Sequence, residues 1–506
     1  MHPVRKWLLN SALLVFLLLA GCFKSAALTQ PPDGTPLPVD ASPVASSTPS
    51  EVPASPTPAP PDTPTLPARS PSDQAFPRYR LSAQLDYNRK LLKVDERVTY
   101  TNTASLPVPD LILDVEPNLY LGAFQLGTLS WDDGTSITRY TLEYNRLWIG
   151  LPQPLSPGSA VSLSLVYTLV LPAIPPGDGS LKPQPFGYTA RQTNLVDWYA
   201  FFPPYRQDGG WQIHGPWYYG EHQVYQDGVF DVDLQVSNAP PGATIAASTL
   251  PHKDGDRLLY HLDGERSFAW SISPSYQVFS QTVGSVTVLS YAFPYDLEAG
   301  RQALKDASAA LALYSRLFSP YPHPSLSVVE ADFRDGMEYD GLVFLSYGFY
   351  NLYDGTPKGY LTAIAAHETA HQWWFGLVGN DQFEEPWLDE AMATYSERLF
   401  YENVYPDLLD WWWATRVNFY QPQGAINQPV NAYGGYEPYR NAVYLHGAQF
   451  LEDLRKQVGD PAFFAFLKDY TARYSRSQAT AADFFAVLED HTRVDISHIM
   501  QEYFGP

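Results

Sequence analysis

His367, Glu368 and His371 lie in one run, His367-Glu368-Thr369-Ala370-His371, and Glu390 follows further on. On a helix, residues four apart project from one face about a turn apart, so the two imidazoles can close on a single metal ion. Zinc takes nitrogen, sulfur or carboxylate donors in a tetrahedron, and a catalytic site uses three protein ligands and leaves the fourth position to water. His367, His371 and the carboxylate of Glu390 make up three. Glu368, carried beside them, is then the base for that water. The rival reading is a helix that holds these residues by accident, and the surrounding pattern argues against it.

The elements that must position these side chains are legible. Pro357-Lys358-Gly359-Tyr360 punctuates the chain, and Leu361, Ile364, Ala365 and Glu368 follow at helical spacing until Gly376 offers a stop. Pro386 then opens a second helix, Trp387-Leu388-Asp389-Glu390-Ala391-Met392-Ala393-Thr394-Tyr395, with Glu390 near its start.

With these residues the chain resembles the aminopeptidase N family of zinc peptidases, of the gluzincin type. That family's third ligand is a glutamate eighteen residues beyond the second histidine, and eighteen residues separate His371 from Glu390. His371-Gln372-Trp373-Trp374-Phe375-Gly376 and Trp387-Leu388-Asp389-Glu390 are similar to the family's sequences there, with Asp389 where asparagine is usual. Asp335-Gly336-Met337-Glu338-Tyr339 resembles the Gly-x-Met-Glu-Asn substrate loop, with aspartate for its glycine and tyrosine for its asparagine. The resemblance implies that Glu338, with Gly336 and Met337, binds the free amino terminus of a peptide. Val443-Tyr444-Leu445-His446-Gly447-Ala448 resembles the family's Tyr-x-x-Gly-Ala segment, with His446 where lysine is common. It implies that the Tyr444 hydroxyl donates to the tetrahedral intermediate. Gln192 and Asn194, upstream of Phe202-Pro203, are implied as further substrate contacts from the preceding domain.

The implied function is hydrolysis of the N-terminal peptide bond by water activated on one Zn2+ per chain, with Glu368 serving as base and then as acid. Two alternatives stand beside it: a zinc endopeptidase of the same fold, and a tethered binding module without activity. Glu338 weighs against the first. The complete set of catalytic positions weighs against the second. The family's larger members carry a long helical domain after this region, and a more open site is the expectation here.

The chain has 506 residues, enough for two folded domains, and a net charge of −22, which argues against nucleic acid and against electrostatic adhesion to anionic lipid. Near the amino terminus, Arg5 and Lys6 precede an apolar run from Trp7 to Ala20 broken only by Asn10 and Ser11, the pattern of an export signal. It ends Leu19-Ala20-Gly21-Cys22, which resembles a bacterial lipobox. The resemblance implies cleavage before Cys22 and its acylation, and hence an exported, membrane-anchored lipoprotein. Cys22 is the only cysteine, so no internal disulfide exists. Residues 23–75, dense in Pro, Ser, Thr and Ala, bury too little apolar surface to offset ordering entropy and read as a disordered tether.

The rest reads as an α+β chain of two domains. Tyr79, Leu81, Ala83, Leu85 and Tyr87 alternate with mostly polar residues, as do Leu92 to Tyr100, Val161 to Leu169 and Phe230 to Val236. Period two means half-buried strands, so residues 76–285 are expected to form an antiparallel, sandwich-like β domain. From Asp296 the period changes: Leu304, Ala307, Leu311 and Tyr314 fall on one helical face, and Ser327-Val328-Val329-Glu330 reads as a strand. Late helices are expected at 441–458, 461–475 and 481–491, the last with Thr480 and Asp483 as a capping box. Residues 286–506 are thus expected to be an α-rich gluzincin-type catalytic domain with a small sheet.

Overall fold

The computed structural model describes residues 76–175 and 182–505; the expected export signal, Cys22 and the tether lie outside them. Among the described residues no helix is long and apolar enough to cross a membrane.

The alternating segments pair as their burial demands. Strand Arg78–Asp86 turns Tyr79, Leu81, Ala83 and Leu85 inward and runs antiparallel to Leu91–Thr101, which in turn pairs with Ala160–Val170. These three lie in a seven-stranded sheet of order His252–Asp254, Arg257–Glu265, Gly228–Ser237, Arg78–Asp86, Leu91–Thr101, Ala160–Val170, Phe124–Trp131. Its neighbours are antiparallel except Arg78–Asp86 with Gly228–Ser237, which run parallel. A three-stranded sheet, a four-stranded sheet and a two-stranded one, Tyr205–Arg206 with Gly210–Trp211, complete the β part. Leu81 and Leu165 of the large sheet, Leu111 and Leu147 of the second, and Leu195 and Trp270 of the third belong to one buried core.

The boundary expected at 285 falls in the turn of a hairpin. Gln277–Val283 pairs with Val286–Ala292, and both belong to a five-stranded sheet that continues through Ser325–Ala331, Leu342–Ser346 and the edge strand Met337–Tyr339. Period two reports half-burial and not which sheet a strand joins, so the pattern ran on past the true change of sheet.

Helix Leu297–Leu317 packs the expected face, with Leu304, Ala307, Leu311 and Tyr314 buried. Its Asp306 carboxylate accepts from Thr362 Oγ1 at 2.7 Å, and the Tyr314 hydroxyl reaches the carbonyls of Ala366 at 3.2 Å and Ser396 at 2.9 Å. Those contacts fix helix Tyr360–Ala370 against helix Trp387–Val404. The late helices are Gly447–Val458, Asp460–Tyr474 and Ala481–His491, the last with the Thr480 and Asp483 capping box. The helix expected from 441 begins instead as a wider π-type turn, Asn441–His446.

Arg266, from the β part, is fully buried and joins the two parts. It pairs with Asp227 at 3.0 Å and donates to the carbonyls of Tyr225, Phe375, Gly376 and Ser477. Phe375 holds a left-handed backbone, φ 133°, where the chain leaves the first motif helix, and Arg266 fixes its carbonyl. We expect Arg266→Ala to cost about 3 to 5 kcal/mol, because Asp227 is left as a buried unpaired charge. Arg266→Lys should recover little, since one ammonium cannot replace a fork that serves several acceptors. Urea unfolding midpoints check this, and a midpoint near that of the unchanged protein in either variant contradicts it.

Candidate metal centre and cleft

His367 and His371 stand at the C-terminal end of helix Tyr360–Ala370, and Glu390 stands in the first turn of helix Trp387–Val404. Their Nε2, Nε2 and Oε2 atoms form a triangle with sides of 3.1, 3.2 and 3.5 Å. A four-coordinate ion with bonds of about 2.0 to 2.2 Å needs donors about 3.3 to 3.6 Å apart. His367 Nδ1 donates to Glu397 at 3.0 Å and His371 Nδ1 to the Trp374 carbonyl at 2.9 Å, so both Nε2 lone pairs face the triangle's centre. Two lone pairs and a carboxylate turned on one another in a buried place call for a cation. The donors therefore fit a metal ion.

The electrostatics agree. Burial opposes charge on His367, but the Glu390 and Glu397 carboxylates outweigh it and lift the imidazole to about 9. Burial likewise opposes charge on Glu390, and the two imidazoles still hold its carboxyl well below the usual range. The centre is built to keep positive charge among these three groups.

Glu397 lies seven residues beyond Glu390, two turns along the same helix face. It also accepts from Trp412 Nε1 at 2.9 Å and from Arg416 Nε and Nη2 at 3.0 and 2.9 Å. Arg416 comes from a second π-type turn, Trp413–Val417. Neither Glu397 nor Arg416 was singled out from the sequence, although the seven-residue spacing from Glu390 was there to be read.

Glu368 points into a cavity of about 420 Å³ that the metal ligands also line. Its Oε2 is buried without a protein partner. Burial, with the carboxylates of Glu338 and Glu390, pushes its carboxyl well above the ordinary range in spite of the two imidazoles. Gly336 lies so close that a Cβ there would stand 2.0 Å from Glu368 Oε1, so only glycine fits without moving the base. Asp335 before it takes φ 68° and accepts the Gly336 N–H at 3.0 Å; aspartate tolerates this left-handed geometry, which explains how it replaces the family's glycine.

Glu338 sits on the edge strand, lines the cavity and accepts from Gln382 Nε2 at 3.1 Å. Gln372 holds that strand to the motif helix: its Nε2 donates to the Tyr339 carbonyl and its Oε1 accepts the Gly341 N–H, both at 2.9 Å. Tyr339 fills the core of the β part, where an asparagine would have no such packing. Tyr444 occupies the Asn441–His446 turn and donates to Glu390 Oε1 at 2.6 Å, with its ring stacked on His367. π-Type turns recur at functional sites because they re-aim one side chain within a helix. Gly447 lets this turn approach the Glu390 helix, for a Cβ there would meet Ala391 Cβ at 2.5 Å.

Three expected contacts are not in the cleft. Met337 alternates to the other face of the edge strand and packs against the β core. Gln192 and Asn194 are fully buried in the four-stranded sheet region. Gln192 donates to Tyr276 and the Glu330 carbonyl and accepts from Asp332 N–H, while Asn194 accepts from Ser271 at 2.7 Å. Their amides are consumed by structure. The β part instead contributes Glu221, which lines the cavity together with Glu338. Burial and then the charges of Glu338 and Glu390 push the Glu221 carboxyl well up. Asp389, for its part, is buried and accepts the Glu390 N–H at 2.9 Å.

A His-Glu-x-x-His helix, a glutamate ligand on the next helix and an unpartnered carboxylate over the centre are the parts that a metal-activated water needs. Residues 302–503 match the family described as the peptidase family M1 domain. Over 217 residues the chain is 28% identical to "Aminopeptidase M1-D" of Oryza sativa subsp. japonica, covering 40% of this chain and 25% of that one. Over 220 residues it is 30% identical to "Aminopeptidase N" of Lactobacillus helveticus, covering 40% and 26%. The chain thus spans about a quarter of the length of these relatives. The fold extends further: the M1 zinc metallopeptidase crystal structure from Deinococcus radiodurans superposes with a TM-score of 0.59 at 19% identity, covering 87% of this chain and 94% of that one.

Glu397→Gln removes the charge that orients His367 while keeping the side chain's shape. Loss of such an outer partner typically weakens metal binding by about 10- to 100-fold. Competition against a chromogenic chelator measures it, and unchanged affinity contradicts the role assigned to Glu397.

Proposed function

We propose that this chain is a zinc-dependent aminopeptidase that hydrolyses the first peptide bond of peptides with a free amino terminus. The observation that carries the reading is the pair Glu338 and Glu221 facing the cavity beside a complete metal centre. Both carboxylates line one cavity and the charge of Glu338 raises the Glu221 carboxyl, a repulsion that an α-ammonium between them relieves. Zinc held by His367, His371 and Glu390 would lower the pKa of water toward about 7 and polarise the carbonyl.

The chain's own residues do the rest. Glu338 and Glu221 hold the ammonium and so set the register in which only the first peptide bond reaches the centre. Glu368 takes a proton from the attacking water and passes it to the departing amine. Tyr444 supplies a hydroxyl for the oxyanion. The names of the rice and Lactobacillus relatives support the reading, as does a Deinococcus radiodurans variant structure bound to a Tyr-Ser-Ala substrate. An endopeptidase has no use for the paired carboxylates, and a binding module has none for the unpartnered base.

The test is a peptide pair. Free peptides should be shortened one residue at a time and acetylated copies should be nearly inert, with Glu338→Ala raising KM. Glu368→Gln should retain zinc and lower kcat by about 10²- to 10⁴-fold. Efficient internal cleavage of acetylated peptides overturns the aminopeptidase reading, and undiminished turnover by the zinc-loaded Gln variant overturns the base.

We also propose that the protein is exported and held at a membrane by acylation of Cys22, with residues 23–75 as the tether. The sequence Leu19-Ala20-Gly21-Cys22 after an apolar run supports this. Cys22→Ala should move the protein from the membrane fraction to the soluble fraction with peptidase activity intact. Its continued sedimentation with membranes contradicts the proposal.

A further inference from the structure

The cleft is polarised. Glu338 lies with Glu368 and His371, their ligand atoms within 4.8 Å of one another. A second wall runs from His367 through Glu397 to Arg416, whose guanidinium lies 5.9 Å from the Tyr360 ring centre. The Tyr360 hydroxyl meets that of Tyr420 at 2.7 Å, and Arg440 lies over the Tyr420 ring at 4.1 Å. A peptide with its ammonium at Glu338 and its first carbonyl at the centre sends its remaining residues toward this second wall.

Three arginines line the cavity: Arg334, Arg416 and Arg440. Arg416 is matched by Glu397. The other two have no strong anionic partner. Arg440 donates to the Asn441 amide oxygen at 2.8 and 3.2 Å, and its nearest carboxylate, Glu437, is 3.9 Å away on a side chain 78% exposed, where water screens the pair. Arg334 is exposed and makes no hydrogen bond, ion pair or ring contact with any described residue. Asp335 also lines this part of the cavity, with one oxygen engaged by the Gly336 N–H. In a chain of net charge −22, carboxylates are plentiful, yet these two guanidiniums have been left without one inside the cleft.

We infer that Arg334 and Arg440 recognise a carboxylate on the leaving side of the substrate, a specificity that rests on the aminopeptidase reading. A planar guanidinium fork can also bond peptide carbonyls, but its strongest pairing is the bidentate one with a carboxylate. That carboxylate is either the terminal one of a di- or tripeptide or the side chain of an acidic residue just beyond the scissile bond. The enzyme then favours short peptides or acidic second residues.

The experiment compares kcat/KM for Leu-Ala-Ala and its C-terminal amide, and for the amides of Leu-Asp-Ala and Leu-Asn-Ala. The unsubstituted enzyme should favour the carboxylate in at least one pair by about 10-fold, mainly through KM. A preference in the first pair alone assigns the terminal carboxylate, and in the second alone an acidic side chain. The ratio should fall toward 1 in Arg334→Gln and in Arg440→Gln and recover in part in Arg440→Lys. Equal rates in both pairs, or a preference that survives both Gln substitutions, overturns the inference. Leucyl anilide carries no carboxylate, so its turnover separates failure of this inference from failure of the aminopeptidase reading.

Discussion

Glu397 is a carboxylate with no access to water, and the architecture of the centre follows from satisfying it. Taking such a charge out of solvent costs several kcal/mol unless partners surround it. Arg416 supplies two N–H groups, Trp412 one, and His367 Nδ1 another. Because the last of these is a donor, His367 has one tautomer and its Nε2 must face Glu390. The same helix that carries Glu397 carries Glu390 two turns earlier, so orienting one ligand and presenting another are a single act. The Tyr314 hydroxyl, which touches carbonyls of both motif helices, keeps that geometry from drifting.

The two π-type turns extend the same logic. One sets Arg416 toward Glu397, and the other sets Tyr444 against the opposite oxygen of Glu390 from the one that faces the imidazoles. A regular helix advances by 100° per residue and cannot deliver a side chain to an arbitrary angle. One widened turn can, at the cost of poorer backbone hydrogen bonds. Both such segments of the helical part thus end at the metal centre.

Much of this was legible in the chain. The four-residue and eighteen-residue spacings found His367, His371 and Glu390 because ligand geometry on a helix is local, and proline and glycine punctuation found the helices. The alternating strands were equally plain. What spacing could not reach was contact between distant segments. Gln192 and Asn194 sit where resemblance put them in sequence, but their amides were already committed to Tyr276, Ser271 and backbone groups. Glu221 came to the cleft from a loop with no periodic signal. Met337 and Glu338 are neighbours in sequence and face opposite ways, as a strand requires, so naming both as substrate contacts could not hold. The boundary at 285 failed for a similar reason, since alternation is blind to which sheet a strand joins.

The segment that matches the peptidase family M1 domain, residues 302–503, does not by itself make the whole site. It lacks the two strands Gln277–Val283 and Val286–Ala292 that begin the five-stranded sheet, the first turn of helix Leu297–Leu317, and the Glu221 wall of the cleft. It also lacks Arg266, whose single guanidinium grips the backbone where the histidine helix ends and again at Ser477. Cut free, that piece would show a raw sheet edge to solvent and would lose the clamp on its own metal-bearing turn. The two parts are therefore one unit, because the chemistry of one is held in shape by a residue that belongs to the other.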